Sequence, residues 1–152
     1  MNDKRLIVGV GNILLSDEGI GVHVVSFLRS KDLPPNVEVI DAGTATLDLL
    51  PLIDGVSKLI VVDAVKGKGE PGSIYRFTPE DIKKEKKMAT SLHQIGLLDV
   101  LEMADKIGEK PKSTVIIGIE PQNTDWGLKP STKIAEKIPK IIDVVLNEIK
   151  DA

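Results

Sequence analysis

The sixteen residues from Leu6 to Gly21 constrain the fold more than any other part of the chain. They read Leu-Ile-Val-Gly-Val-Gly-Asn-Ile-Leu-Leu-Ser-Asp-Glu-Gly-Ile-Gly. The nearly continuous apolar run at their start is typical of a strand that is buried on both faces of a parallel sheet. Glycines then permit a tight turn, and two acids, Asp17 and Glu18, precede a helical pattern. Side chains placed beyond the carboxyl end of such a strand face the crevice in which open α/β sheets bind ligands.

The spacing of the glycines argues against a dinucleotide site. The G-x-G-x-x-G fingerprint needs a third glycine three residues after Gly11, and Leu14 occupies that position. The same pattern does occur at Gly67, Gly69 and Gly72, but a strand-like segment follows it where the fingerprint requires a helix. We therefore interpret this second glycine-rich stretch as a loop.

Apolar runs and helically spaced apolar residues alternate along the rest of the chain. Further strands are predicted at about 37–40, 59–62, 74–77 and 115–119. Helices are predicted from about 18 to 30 with Asp17 as cap, from 46 to 53, from 78, from 91 to 108, and from 131 with a kink at Pro139. This order predicts a three-layer α/β/α sandwich with a mainly parallel twisted sheet of about five strands, one of them antiparallel. We expect residues 1–152 to form a single domain.

Composition excludes several classes of function. The chain has no cysteine, so it has no disulfide, thiol nucleophile or thiolate metal site. A formal net charge of -3 with few aromatic residues gives no basic surface for nucleic acid. No window approaches the roughly 18 apolar residues of a membrane span. We expect a soluble cytoplasmic protein that does not insert into membranes and is a monomer.

Acidic residues recur where predicted strands end. Glu18 follows the first strand, Asp41 ends the second and Asp63 ends the third, while His93 falls in the first turn of a later helix. Two carboxylates and an imidazole suit a divalent metal of the first transition row. Each residue also has a structural interpretation, because acids commonly cap backbone amides and a lone histidine is commonly packed or exposed. His23 is interpreted as an ordinary helical residue.

Several short motifs follow one another in a fixed order. They are Gly-Asn-Ile-Leu-Leu-Ser-Asp-Glu-Gly-Ile-Gly at 11–21, Asp-Ala-Gly-Thr at 41–44, Val-Asp-Ala at 62–64, Ser-Leu-His-Gln-Ile-Gly-Leu at 91–97, Gly-Ile-Glu-Pro at 118–121 and Trp-Gly-Leu at 126–128. Together they resemble the motifs of the [NiFe]-hydrogenase maturation endopeptidases, over about residues 6–131. Ala42 departs from the glycine usual in that family, which puts the substrate role of its turn in question.

The resemblance implies an aspartic-type endopeptidase that removes a short carboxy-terminal extension from the hydrogenase large-subunit precursor after nickel insertion. It implies that Glu18, Asp63 and His93 contact nickel, which the precursor is expected to supply. It also implies catalytic roles for Glu18, Asp63 and Asp41. The turn expected to bind substrate comprises Asp41, Ala42, Gly43 and Thr44. A helix start disfavours the imidazolium form of His93, which agrees with a ligand role.

Alternatives remain open at this point. The metal can polarise the scissile carbonyl or activate water, or it can serve only for recognition of the precursor. A nickel-binding chaperone or adaptor of the same fold is one alternative, since a site does not prove turnover. A phosphoacceptor receiver domain with Asp63 as acceptor is another, but it requires a lysine at the end of the last strand, where the chain has Gly118-Ile119-Glu120.

Overall fold

The computed structural model of the chain describes residues 3–84 and 92–150, and the side chains of 83–84 and 92–95 lie outside that description. The strands are β1 (Lys4–Val10), β2 (Val37–Gly43), β3 (Val56–Ala64), β4 (Ile74–Phe77) and β5 (Ser113–Ile119). The α-helices are α1 (Ile20–Arg29), α2 (Pro79–Lys84), α3 (Leu92–Lys106), α4 (Thr132–Ala135) and α5 (Ile138–Lys150). Two 3-10 helices lie at Ser16–Gly19 and Thr46–Leu52.

The five strands form one sheet in the order β2-β1-β3-β5-β4. The pairs β1–β2, β1–β3 and β3–β5 are parallel, and β4 runs antiparallel to β5. The predicted mainly parallel sheet with one antiparallel strand is therefore confirmed. The glycine-rich stretch at 67–72 lies in the connection between β3 and β4, as predicted.

Successive residues of the central strands pack into two different cores, one on each face of the sheet. On one face, Ile60 and Val62 of β3 join the apolar residues of α1, α4 and α5. On the other face, Leu59 and Val61 join those of α3 and the second 3-10 helix. This alternation is the period of a strand, and it produces the three predicted layers.

Helix α1 lies unusually close to the sheet at Gly21. A Cβ atom at this position would lie 2.1 Å from the carbonyl oxygen of Val62 and 2.5 Å from that of Val10. A Cβ at Gly9 would in turn lie 2.4 Å from the carbonyl oxygen of Gly21. Only glycine permits this backbone contact. It fixes the start of α1, and the turn before it, against the ends of β1 and β3.

The predicted start of the first helix was wrong. Residues 16–19 form a 3-10 turn, α1 begins at Ile20, and neither helix start has a side-chain cap. Asp17 does not cap the helix, because its carboxylate accepts hydrogen bonds from a distant loop. The predicted helix at 46–53 is a 3-10 helix.

The sequence predicts one terminal helix with a kink at Pro139. The structure instead has two helices, with the break before Pro139. The chain forms α4, interrupts the helix at residues 136–137 and resumes in α5, with Pro139 in the first turn. Proline lacks an amide hydrogen, and its ring clashes with the carbonyl four residues earlier, here that of Ala135. The last residue of α4 is Ala135, so the break falls where this clash would arise. Among the described residues, no helix combines the length and apolar character needed to cross a membrane.

His23 differs from its interpretation as an ordinary helical residue. Within the described part of the chain, its Nε2 atom is buried and has no hydrogen-bond partner. Burial lowers the pKa of His23 from its ordinary value of 6.5. The folded protein therefore favours the neutral imidazole.

This shift predicts a loss of stability in mild acid. As the pH falls through 6.5, the unfolded chain takes up a proton at His23 before the folded chain does, so the free energy of unfolding decreases. His23→Gln should show a smaller decrease in denaturant unfolding between about pH 7 and pH 5. The other titrating groups are common to both proteins and cancel in the comparison. Equal pH dependence of the two proteins would contradict the prediction.

Candidate functional site at the carboxyl edge of the sheet

Parallel pairing brings three of the predicted acids to the same edge of the sheet. Gly9 of β1 pairs with Asp41 on one side and with Val62, the residue before Asp63, on the other. Glu18 lies in the 3-10 turn that follows β1, and this turn contacts β3. The strand topology thus places all three residues at the carboxyl edge, where open α/β sheets bind ligands.

Asp63 is buried at the end of β3, with 1% of its surface exposed. Its Oδ1 atom accepts a hydrogen bond of 2.8 Å from the amide of Ala64. Val61 and Val65, two residues away on either side, belong to the core beneath α3. By strand alternation, Asp63 therefore belongs to the face that carries α3.

The start of α3 lies near the same edge. A Cβ atom at Gly96 would lie 2.5 Å from Oγ1 of Thr46, which follows the end of β2. His93 lies one turn before Gly96, in the first turn of α3. Its side chain is outside the described residues, so its participation in the site stays a prediction.

Glu18 is half-buried in a turn that packs tightly on the end of β1. Gly11, at a φ of +144°, makes the close approach possible, because a Cβ there would lie 2.1 Å from the carbonyl oxygen of Glu18. A residue with a side chain at position 11 would be strained and would push the turn away. The opening glycines therefore position the turn that carries Glu18.

Asp41 is exposed near the end of β2, a strand that β1 separates from the strand of Asp63. Its Oδ1 atom accepts a 2.9 Å hydrogen bond from the amide of Gly43, and the carbonyl of Gly43 accepts one of 2.9 Å from the amide of Gly11. Val39, two residues earlier, packs against the core under α1. Asp41 thus alternates to the face opposite Asp63, with β1 between the two strands. The structure brings Glu18 and Asp63 to adjoining elements and leaves Asp41 to one side.

The role of Asp17 was missed by the sequence analysis. Its carboxylate is fully buried. It accepts hydrogen bonds from the amides of Gln122 and Asn123 at 2.9 Å, and from the amide and hydroxyl of Ser131 at 2.7 Å. The buried charge is thus compensated by four donors. Asp17 ties the loop at 120–131 to the turn that carries Glu18.

Glu120 is a fourth acid beside a strand end, directly after β5, and the sequence predicted no role for its side chain. Its Oε1 atom accepts hydrogen bonds from the amides of Gly67 at 2.8 Å and Gly69 at 3.1 Å, and from the Tyr75 hydroxyl at 2.8 Å. Burial and the hydrogen bond with Glu120 raise the pKa of Tyr75. Glu120 therefore holds the glycine-rich loop against the end of β5.

The donor set at the edge is compatible with a borderline metal but incomplete in the described residues. Glu18 and Asp63 supply carboxylate oxygens, and an imidazole at His93 would add nitrogen, a combination that suits nickel or zinc. No group of three or more potential protein ligands is assembled among residues 3–84 and 92–150 as far as they are described. The nickel ligand set therefore stays a prediction.

Comparison with known proteins bears on the alternatives to a peptidase. A profile of the hydrogenase maturation protease family matches residues 22–148. The chain therefore belongs to the hydrogenase maturation protease family. This membership favours a peptidase over the receiver-domain and adaptor alternatives.

Individual family members agree with this assignment over nearly the whole chain. Hydrogenase 2 maturation protease of Escherichia coli is 36% identical over 148 residues, which cover 96% of this chain and 88% of the relative. Hydrogenase expression/formation protein HupD of Bradyrhizobium diazoefficiens is 36% identical over 148 residues, covering 94% of this chain and 76% of the relative. The solved structure of the hydrogenase maturating endopeptidase HybD from Escherichia coli superposes with a TM-score of 0.88 at 34% identity, covering 97% of this chain and 92% of that one. The chain is thus an endopeptidase of hydrogenase maturation, with the fold of that family.

The Asp17 contacts predict a large structural cost for removing one carboxylate. Asp17→Ala would remove the acceptor that the amides of Gln122, Asn123 and Ser131 share, so we expect a loss of about 3 kcal/mol in the free energy of unfolding. Asp41→Ala is the matched control, because Asp41 is exposed near the end of β2 and accepts a hydrogen bond from the amide only two residues later. It should lose less than about 1 kcal/mol. Denaturant unfolding measures both, and equal losses would contradict the structural role of Asp17.

Proposed function

We propose that this maturation protease removes a carboxy-terminal extension from the precursor of a [NiFe]-hydrogenase large subunit, and that nickel carried by the precursor marks it for cleavage. Family membership supplies the hydrolytic activity. The observation that carries the finer proposal is the placement of Glu18, Asp63 and the start of α3 at one edge of the sheet. Carboxylates from two elements therefore lie at the edge where we propose that a metal arrives with the substrate.

Hydrolysis at this edge needs a water molecule and a group that handles its proton. Water adds to the scissile carbonyl carbon, the carbon–nitrogen bond breaks, and the proton from water ends on the leaving nitrogen. With no cysteine in the chain, this route does not use a thiolate nucleophile. Because Glu18 and Asp63 are proposed to contact nickel, Asp41 is the remaining predicted acid at the edge. We assign it to substrate binding or proton transfer.

The composition of the proposed ligand set favours nickel that arrives with the substrate. Two carboxylates and one imidazole form a modest site for this metal, whereas thiolates bind it well, and the chain has none. Three protein ligands also leave coordination positions open for groups on the precursor. The nickel therefore belongs to the substrate in this proposal and is not a resident cofactor.

The proposal predicts that cleavage depends on the nickel state of the precursor. The same chelator-treated protease should shorten nickel-loaded precursor and leave nickel-free precursor intact, as followed by mass spectrometry of the large subunit. Equal cleavage of both forms would eliminate nickel as a mark. Rescue of the nickel-free reaction by adding a divalent metal to the protease alone would show a conventional metallopeptidase.

Substitutions separate contact with nickel from the other steps. Glu18→Gln, Asp63→Asn and His93→Ala should each reduce processing by at least about 100-fold, because each removes a proposed contact. Asp41→Asn should impair cleavage more than it impairs retention of the nickel-loaded precursor, since Asp41 lies apart from Asp63. Cleavage rates and co-purification of nickel with the complex provide the two readouts. Near-normal processing by two of the first three variants would refute the ligand assignment. An equal loss of cleavage and of nickel retention in Asp41→Asn would place Asp41 among the nickel contacts.

A further inference from the structure

Four large apolar side chains are exposed beside the turn that carries Glu18. They belong to Ile13, Leu14, Trp126 and Leu128, and we call them the apolar rim. Trp126 is 81% exposed and Leu128 is 69% exposed. Exposed apolar surface of this kind, on the order of a few hundred Å², commonly marks an interaction site.

The backbone around Trp126 is held firmly although its ring faces solvent. On one side, the carbonyl of Asp125 accepts a 2.8 Å hydrogen bond from the Ser16 hydroxyl. On the other side, the amide of Gly127 donates to the carbonyl of Leu14 at 2.9 Å, and its carbonyl accepts from the amide of Ser16 at 2.9 Å. The exposure of Trp126 is therefore set by a fixed loop. Because this backbone is already ordered, binding through Trp126 would not require further ordering of the loop.

Two residues of the rim, Leu14 and Trp126, are neighbours in space. Leu15 and Gly127 form a parallel bridge, so their neighbours Leu14 and Trp126 lie side by side across it. Ser16 and Asp17, which hold this loop, are in the same 3-10 turn as Glu18. Charged residues at Asp125 and Lys129 flank the rim. An apolar centre with a polar border is the usual organisation of a protein–protein interface.

We propose that the apolar rim binds an apolar surface of the folded precursor next to the segment that is cleaved. This inference rests on the proposed function, because it takes the protein substrate of that site as the occupant. A precursor whose nickel reaches Glu18 must also cover the surface attached to the Glu18 turn. The rim would then supply affinity for the body of the substrate, and Trp126 would be its main anchor, as tryptophan commonly is at interfaces.

The test measures binding of nickel-loaded precursor separately from cleavage. Trp126→Ala should weaken binding by at least about 30-fold, the change expected for a hot-spot residue. It should raise KM with little change in kcat, and Trp126→Phe should recover part of the affinity. The matched control is Phe27→Ala, which removes an aromatic side chain that is 53% exposed in the last turn of α1 and is not part of the rim. This control should bind and cleave as the wild type does, and the unfolding of all variants should stay close to wild type.

The outcomes separate failure of this inference from failure of the proposed function. Unchanged binding by Trp126→Ala, or an equal loss in Phe27→Ala, would overturn the inference, as would a wild-type protein that does not bind the precursor. Self-association of the wild type that Trp126→Ala abolishes, measured by sedimentation, would also overturn it and assign the rim to a second copy of the chain. If the wild type binds precursor through Trp126 but does not cleave it, the rim is supported and the proposed function fails.

Discussion

The buried carboxylate of Asp17 is the interaction on which the geometry of the carboxyl edge depends. It joins the turn after the first strand to a loop more than a hundred residues later, through three backbone amides and one hydroxyl. A buried carboxylate without such donors would cost several kcal/mol, so the two segments stabilise each other only when both are in place. The Asp17 contact thus connects the turn that carries Glu18 to the loop that carries Trp126.

This coupling physically links the two functions that we propose for the edge. One side of the Asp17 contact presents Glu18 beside β3, the strand that contains the buried Asp63. The other side presents an apolar surface that is suited to a protein partner. In the proposed mechanism, one structural unit therefore aligns recognition of the body of the substrate with contact to its metal.

Much of the fold was predictable because its signals are local. The apolar runs at β1, β3 and β5 are long and β-branched, and the glycines that permit close packing are visible in the sequence. The boundaries of helices were less predictable. The 3-10 turn at Ser16–Gly19 and the break before Pro139 depend on contacts and backbone geometry that periodicity does not encode.

The candidate site was predictable in its acids and not in their separate roles. Asp17 and Glu18 are adjacent acids in the sequence, yet one is buried in hydrogen bonds and the other lies half-buried at the edge. Glu120 likewise follows a strand as Asp63 does, but it orders a loop. Donors from distant parts of the chain, four for Asp17 and three for Glu120, decide each case, and no local pattern contains that information. Asp41 and Asp63 lie on opposite sides of the sheet because of the register of the strands. The sequence indicates this register only after the strand pairs are known.

X-ray absorption at the nickel edge, recorded on nickel-loaded precursor alone and bound to the protease, tests the central proposal most directly. If the carboxyl edge contacts the metal of the substrate, complex formation should add oxygen or nitrogen neighbours to nickel. These added neighbours should decrease with Glu18→Gln or Asp63→Asn under conditions where the precursor remains bound. An absorption spectrum that is the same for free precursor and for the wild-type complex would contradict the proposal that Glu18 and Asp63 contact nickel.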